Sequence, residues 1–229
     1  MDKQSVSLRT EDVPLLSRLL ALPFFQSAMF QGKKGIFFGK GKLLNINMMG
    51  RVKSLTRHTD DKVTIRFVRI EDAAAILSLQ RDVVYEGEYF IAVSEEFDKT
   101  MEQQLEWIQN IIDNDRGTMF VAEINGELAG MVVFVSPARQ RLTHTSSITM
   151  MIQKAHRNKG IGKVLLKELL AWAEQHPLIE KVSLGVFSNN LRAIALYKSL
   201  GFEEEGRKVK EFKLAENEYA DDVLMYKFV

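Results

Sequence analysis

Residues Ile148–Leu166 read ITMMIQKAHRNKGIGKVLL and join three kinds of pattern in nineteen positions. The run Ile148–Ile152 is apolar and partly β-branched, which is typical of a buried strand. Gly160 and Gly162 interrupt it, and apolar residues then recur at helical spacing. Glycines let a backbone turn tightly and approach a ligand, while the first N–H groups of a helix carry partial positive charge. The stretch therefore predicts a cradle for an anionic group such as a pyrophosphate.

Two common nucleotide loops do not fit this stretch. A Walker A loop requires Ser or Thr after its Gly-Lys pair, whereas Val164 follows Gly162-Lys163. A dinucleotide fingerprint requires a third Gly or Ala three residues after the second glycine, and Leu165 stands there. The cradle therefore belongs to another class of phosphate-binding loop.

The flanking sequence predicts alternating strands and helices from residue 59 onward. Asn125-Gly126 is a strong hairpin signal between two strand-like runs, and Gly201 is placed to end a helix. The predicted strands are Val63–Arg69, Met119–Ile124, Leu128–Val135, Ser146–Ile152, Lys181–Phe187, Phe202–Leu214 and Val223–Val229. The predicted helices are Glu71–Val84, Phe97–Asp113, Ile161–Gln175 and Asn190–Leu200. This order predicts an α/β domain over residues 59–229, with a mixed, mostly antiparallel sheet of about seven strands flanked by helices.

Composition excludes several kinds of chemistry. The chain has no cysteine, so disulfides, thiolate metal sites and cysteine nucleophiles are excluded, and a cytoplasmic location is expected. The four histidines do not fall at metal-ligand spacing, so we expect no metal. No segment approaches the roughly 20 apolar residues of a membrane span.

Charge divides the chain into two parts. Residues 1–58 contain ten Lys/Arg against three Asp/Glu, whereas the remainder contains 21 against 27. Glu11 and Asp12 precede the apolar run Val13–Phe25 where a secretory signal would have basic residues. We therefore expect residues 1–58 to be a basic, disordered or loosely structured extension without a signal. The acidic remainder argues against nucleic acid as the main partner.

Three motifs together resemble the GCN5-related N-acetyltransferase (GNAT) family. Arg157-Asn158-Lys159-Gly160-Ile161-Gly162 is similar to the family's R-x-x-G-x-G acetyl-CoA signature. Asn190–Phe202 is similar to its N-x-x-A-x-x-L-Y-x-x-x-G-F helix, and Tyr219–Lys227 to its final strand, with acidic residues before Met225. The motifs occur in order, and the resemblance covers about residues 63–229. It implies the acyl-CoA N-acyltransferase fold, with acetyl-CoA as co-substrate; residues 1–58 find no counterpart.

The resemblance also implies which residues hold the donor. The strands beside the loop are expected to splay, so that backbone groups of Met150, Met151 and Ile152 pair with the pantetheine arm. The pyrophosphate is expected at the segment Arg157, Asn158, Lys159, Gly160, Ile161, Gly162 and Lys163. Asn190 can either cap its helix or reach the pantetheine.

Tyr197 is implied to be the general acid that protonates the departing CoA thiolate. Its ordinary phenol pKa, near 10, is roughly comparable with that of an alkyl thiol.

The acceptor side is less defined by the sequence. Without a cysteine or an activated serine, direct attack of an amine on the thioester is the simplest mechanism, and the amine must first lose a proton. Family members often carry a Glu on the strand before the loop, but Thr143–Ile152 has none. Glu86 is our candidate base, with Glu88, Glu123 and His144 as alternatives. The segment Tyr85–Phe90, which mixes aromatic and acidic residues, is a candidate surface for a cationic amine.

Three functions remain open from the sequence. The first is an acetyl-CoA-dependent N-acetyltransferase acting on a small amine, an amino acid or a protein α-amine. For this enzyme we expect no nucleic-acid partner and a homodimer. The second is a catalytically inactive acyl-CoA-binding sensor or scaffold. The third, a membrane-binding or nucleic-acid-binding arm, depends on residues 1–58 alone.

Overall fold

A computed structural model of the chain describes residues 36–38, 42–44, 53–56 and 62–229, with side chains from Val63 onward. The chain divides into two units, Met1–Arg51 and Val52–Val229. In the first unit, strands β1 (Ile36–Phe38) and β2 (Lys42–Leu44) pair antiparallel. The predicted loose structure of residues 1–58 otherwise lies outside the described residues.

The second unit is built on an eight-stranded sheet in the order β3-β4-β5-β6-β7-β8-β10-β9. Its strands are β3 (Lys53–Thr56), β4 (Lys62–Phe67), β5 (Gly117–Ile124), β6 (Glu127–Val135), β7 (Thr145–Ile152), β8 (Lys181–Phe187), β9 (Glu203–Ala215) and β10 (Glu218–Phe228). Its helices are α1 (Ala73–Tyr85), α2 (Met101–Ile112), α3 (Ile161–Gln175) and α4 (Leu191–Ser199).

The sheet confirms the predicted fold class. Every neighbouring pair is antiparallel except β7 and β8, which run parallel because α3 carries the chain across between them. The sheet has one strand more than the seven predicted, since β3 adds to its edge upstream of residue 59.

The two largest differences between predicted and observed element boundaries have identifiable reasons. Helix α2 starts at Met101 rather than Phe97, because the Thr100 side chain accepts the Gln103 N–H and caps the helix there. Strand β10 starts at Glu218 rather than Val223, because Asn217 takes a left-handed φ of 62° and closes a tight turn after β9.

The two faces of the sheet have separate cores. On the front face, α1 and α2 pack Ile76, Leu79 and Ile108 against residues of β5, β6 and β7. On the back face, α3 packs Leu165, Leu166 and Leu169 against residues from β4 to β10. In the described ranges, no helix is long and apolar enough to cross a membrane.

Gly162 fixes how closely the start of α3 approaches the sheet. A Cβ at this position would lie 3.1 Å from Ile152 Cδ1 and 3.3 Å from both Met150 Cε and Leu196 Cδ2. Glycine therefore allows α3 to contact β7 and α4 at once, and the helix start is held over the end of β7.

Replacing Gly162 by alanine should destabilise the fold by about 1–3 kcal/mol, the usual cost of overpacking a close contact. The measurement is urea unfolding, with Gly206→Ala as the control. A Cβ at Gly206 would meet nothing within 4 Å, so this variant should change the free energy of unfolding much less. Equal effects of the two substitutions would contradict the packing account of Gly162.

Candidate functional site

A cavity of about 730 Å³ opens where β7 and β8 diverge. It gathers the residues that the sequence assigns to the donor from a strand, a loop and two helices. Those that line it are Met150, Met151, Ile152, Arg157, Asn158, Gly160, Ile161, Gly162, Lys163, Asn190 and Tyr197. Lys159 is the exception and does not line the cavity.

The divergence of the two strands is visible in their register. β7 and β8 pair through Thr145, Ser146 and Ser147 of β7, which lie opposite residues 181–183. Beyond Ser147 the β7 strand continues to Ile152 without a partner on the β8 side. The gap leaves one edge of β7 available to an extended ligand.

Strand alternation decides which β7 residues face this gap. Gln153 N–H bonds the Ala129 carbonyl at 2.9 Å, so Gln153 and, two residues earlier, Met151 direct their backbone groups toward β6. Met150 and Ile152 therefore direct theirs toward the gap. The Ile152 carbonyl already accepts a bond from Arg157 Nε at 3.1 Å.

The loop after β7 turns sharply into α3. Asn158 and Gly160 take left-handed φ values of 62° and 74°. No side chain caps the helix, and the first intrahelical bond runs from Val164 N–H to the Gly160 carbonyl at 3.2 Å. The N–H groups of residues 161–163 precede that bond and point out of the helix start, as an anion requires.

Arg157 does not extend freely at the rim of the loop. Its Nη1 lies 2.6 Å from Glu86 Oε2 and 3.7 Å from Glu88 Oε2. The Arg157 and Glu86 side chains are 16% and 14% exposed, so this ion pair is largely removed from water. It ties the segment after α1 to the loop before α3, and it joins a predicted donor-binding residue to the predicted base.

Asn190 uses one side of its amide as a helix cap. Its Oδ1 accepts the Ala193 N–H at 3.1 Å. The amide nitrogen provides two more donors at the cavity wall, so the capping role and a ligand contact are compatible.

Tyr197 lies on α4, lines the cavity and is 8% exposed. Its ring meets Phe202 edge-on, with 5.8 Å between ring centroids. Burial raises the pKa of Tyr197 to about 12, above the ordinary value on which the comparison with a thiol was based. The phenol is therefore protonated at neutral pH and is a hydrogen-bond donor.

The four candidates for the general base differ in whether they line the cavity. Glu123 accepts a bond from Arg66 Nε at 2.9 Å and does not line the cavity. His144 does not line it either, and its carbonyl accepts the N–H groups of Glu180 and Lys181. Glu86 and Glu88 do line it.

One cavity-lining carboxylate received no role from the sequence. Asp222 on β10 is 8% exposed and lies beside Gly185 of β8. Its position in the final motif was visible, but its neighbours are far apart in sequence and give no local pattern. Among the side chains of residues 63–229, no group of three or more His, Asp or Glu is placed to hold a metal.

A family model described as the acetyltransferase (GNAT) family matches residues 82–202 of this chain. The match covers both motifs that line the cavity, the loop before α3 and the α4 helix.

Named relatives and a solved structure agree with this match. The L-amino acid N-acetyltransferase AaaT of Escherichia coli is 28% identical over 119 residues, which cover 52% of this chain and 73% of the relative. The spermidine N(1)-acetyltransferase of Vibrio cholerae is 25% identical over 167 residues, 73% of this chain and 93% of the relative. The structure of yncA from Salmonella typhimurium, solved with its cofactor acetyl-CoA, has the same fold, with a TM-score of 0.65 at 23% identity, covering 72% and 93% of the two chains.

The raised pKa of Tyr197 predicts its behaviour in alkaline titration. Tyrosine absorbance should report equal numbers of ionised phenols in the wild type and in Tyr197→Phe up to about pH 11, because a buried phenol ionises above an exposed one. The variant should fall one phenol short only near pH 12, where Tyr197 ionises. A deficit of one phenol already near pH 10 would mean that Tyr197 is solvated.

Proposed function

This chain belongs to the acetyltransferase (GNAT) family and is an N-acetyltransferase, and we propose that it transfers an acetyl group from acetyl-CoA to a primary amine. The observation that carries the choice of donor is the unpaired edge of β7 running into the uncapped start of α3. An acyl-CoA has an extended arm that contains amides, followed by a pyrophosphate. The open edge of β7 matches the arm, and the start of α3 that follows it matches the pyrophosphate.

The residues present fit such a donor. Backbone groups of Met150 and Ile152 would hold the pantetheine amides, since they face the gap between β7 and β8. The N–H groups of Ile161, Gly162 and Lys163 would hold the pyrophosphate at the start of α3. The amide nitrogen of Asn190 would bond the arm from the opposite wall.

Bound acetyl-CoA supplies an activated thioester, from which a neutral amine takes the acetyl group with release of the CoA thiol. The bond formed is N–C and the bond broken is C–S. Tyr197, which lines the cavity, donates a proton to the leaving sulfur. With a pKa of about 12 the phenol is a weaker acid than a thiol, so the phenolate left behind takes a proton back readily. That proton comes from the attacking nitrogen, which loses it when the amide forms.

The acceptor must lose a proton before it attacks, since an alkylammonium has a pKa near 10. We assign that proton to Glu86, directly or through a water molecule. The ion pair with Arg157 holds the Glu86 carboxylate at the cavity wall, close to the loop that binds the donor. Glu88 lies on the same wall and is more exposed.

We infer the chemical class of the acceptor from the charge of the cavity lining and from the names of the relatives. The carboxylates of Glu86 and Glu88 and the aromatic residues Tyr89 and Phe90 line the cavity together, which suits a cationic amine. Relatives named for spermidine and for L-amino acids also act on amines. The cytoplasmic location and the homodimer stay predictions from the sequence.

A thiol-release assay tests this function with little background. The chain has no cysteine, so any thiol that appears in the mixture comes from CoA. Purified protein with acetyl-CoA should release thiol in the presence of at least one of four probes: spermidine, L-phenylalanine, phenethylamine or a peptide with a free α-amine. The acetylated amine should form in equal amount, as measured by mass spectrometry.

Gly160→Trp is the matched control for the donor site. Tryptophan is strained at the left-handed φ of Gly160 and blocks the approach of a phosphate, so CoA binding and thiol release should both disappear. Calorimetry measures the binding, and thermal unfolding checks that the variant folds. Retained affinity for CoA would refute the assignment of the loop. Tight binding of CoA by the wild type without release from any probe would favour the sensor.

A further inference from the structure

Within the part of the chain that the structure describes, the two front-face helices cover only one half of the sheet. In the described residues, the core beneath α1 and α2 takes side chains from β5, β6 and β7 and none from β8, β9 or β10. Val223 and Met225 of β10 belong to the core on the back face. Side chains alternate along a strand, so Asp222, directly before Val223, faces the front. Asp222 therefore belongs to the open part of the front face, which is one wall of the cavity.

The backbone of β8 is adapted to the Asp222 carboxylate. A Cβ on Gly185 would lie 2.5 Å from Asp222 Oδ1, closer than any side chain can approach. Glycine in a central strand weakens that strand, because it provides no side chain to pack. Gly185 therefore lowers the stability of β8 at the position where the Asp222 carboxylate requires space.

Asp72 is a second buried carboxylate, and its hydrogen bonds fully offset the cost of burying its charge. Asp72 accepts two bonds from Arg66 and one from the Arg69 N–H, each at 2.7 Å. Burial acts to raise the pKa of Asp72, but these bonds outweigh it and hold the pKa below its usual range. Asp72 does not line the cavity, and its charge is satisfied by the protein.

The buried charge of Asp222 is offset by fewer and weaker hydrogen bonds than that of Asp72. Among the described residues, its side chain accepts one hydrogen bond, from Lys208 Nζ to Oδ2 at 3.2 Å. The Lys208 side chain is 51% exposed, and an ion pair with an exposed lysine contributes at most about 1 kcal/mol. A buried carboxylate with so weak a partner has capacity for a cationic ligand.

Two aromatic rings lie beside this carboxylate on the same wall. Phe187 of β8 is opposite Asp222 in the register, and its ring stacks on that of Phe212 of β9 with 4.0 Å between centroids. Both residues line the cavity. A carboxylate next to stacked aromatic rings matches a primary ammonium carried on an apolar or aromatic group, which gains an ion pair, cation–π attraction and apolar contact together.

We propose that Asp222 binds the ammonium group of the acceptor, whose apolar part lies against Phe187 and Phe212. This inference rests on the proposed acetyl transfer and adds to it the position and chemical class of the acceptor. Asp222 is a recognition residue here, while the proton is still assigned to Glu86.

The test is binding of phenethylamine to the CoA-loaded protein, which reports recognition without turnover. Asp222→Asn keeps the shape and removes the charge, so the dissociation constant should rise by about tenfold or more, the usual cost of losing a bond to a charged group. The affinity for CoA should stay unchanged. The isosteric neutral alcohol 2-phenylethanol should bind the wild type more weakly than phenethylamine does and should be insensitive to the substitution.

Two further variants separate recognition from structure. Asp221→Asn removes the neighbouring carboxylate, which does not line the cavity, and should leave phenethylamine binding as it is. Lys208→Met removes the ion-pair partner of Asp222 and should leave binding equal or tighter, because a competing cation is gone. Loss of binding in Lys208→Met as severe as in Asp222→Asn would make the role of Asp222 structural and overturn the proposal.

The failure of this inference is distinguishable from failure of the proposed function. Unchanged phenethylamine affinity in Asp222→Asn, or no phenethylamine binding by the CoA-loaded wild type, would overturn the role of Asp222. Acetyl transfer to any probe in the thiol-release assay would leave the proposed function standing in either case. Thermal unfolding of Asp222→Asn confirms that the comparison is made on folded protein.

Discussion

The parallel pairing of β7 with β8 ends after three residues, and the rest of the site depends on that early end. Because the strands part beyond Ser147, the backbone of Met150 and Ile152 faces a gap instead of a neighbouring strand. A backbone edge buried without partners is costly, so the gap is stable only where water or a ligand with amide groups can enter. The cavity is thus a consequence of the sheet itself.

The start of α3 forms the second part of the donor site, next to the gap between β7 and β8. Gly162 allows the helix to lie against β7 and α4 together, and Gly160 makes the left-handed turn that leads into it. The free N–H groups of the helix start therefore lie at the end of the open strand edge. A ligand that places a pyrophosphate beyond a linear amide arm can use both features at once, whereas an isolated phosphate would use only the second.

The sequence predicted the parts of this arrangement that are local. The strand, loop and helix within Ile148–Leu166 follow from periodicity and two glycines, and the Asn190 cap follows from a residue type at a helix start. Contacts between distant segments could not be predicted in this way. The ion pair of Glu86 with Arg157 spans about seventy residues, and the fit of Asp222 against Gly185 depends on the register of β10 with β8. The raised pKa of Tyr197 likewise depends on burial, which residue type does not reveal.

Residue-resolved amide hydrogen exchange, with and without acetyl-CoA, tests the central claim most directly. The account predicts that binding slows exchange at the amides of Met150, Ile152 and residues 161–163. The amide of Met151 should be protected already in the free protein, because it pairs with β6. Unchanged exchange at Met150 and Ile152 in the presence of saturating acetyl-CoA would contradict the account, because the gap between β7 and β8 would then not hold the donor.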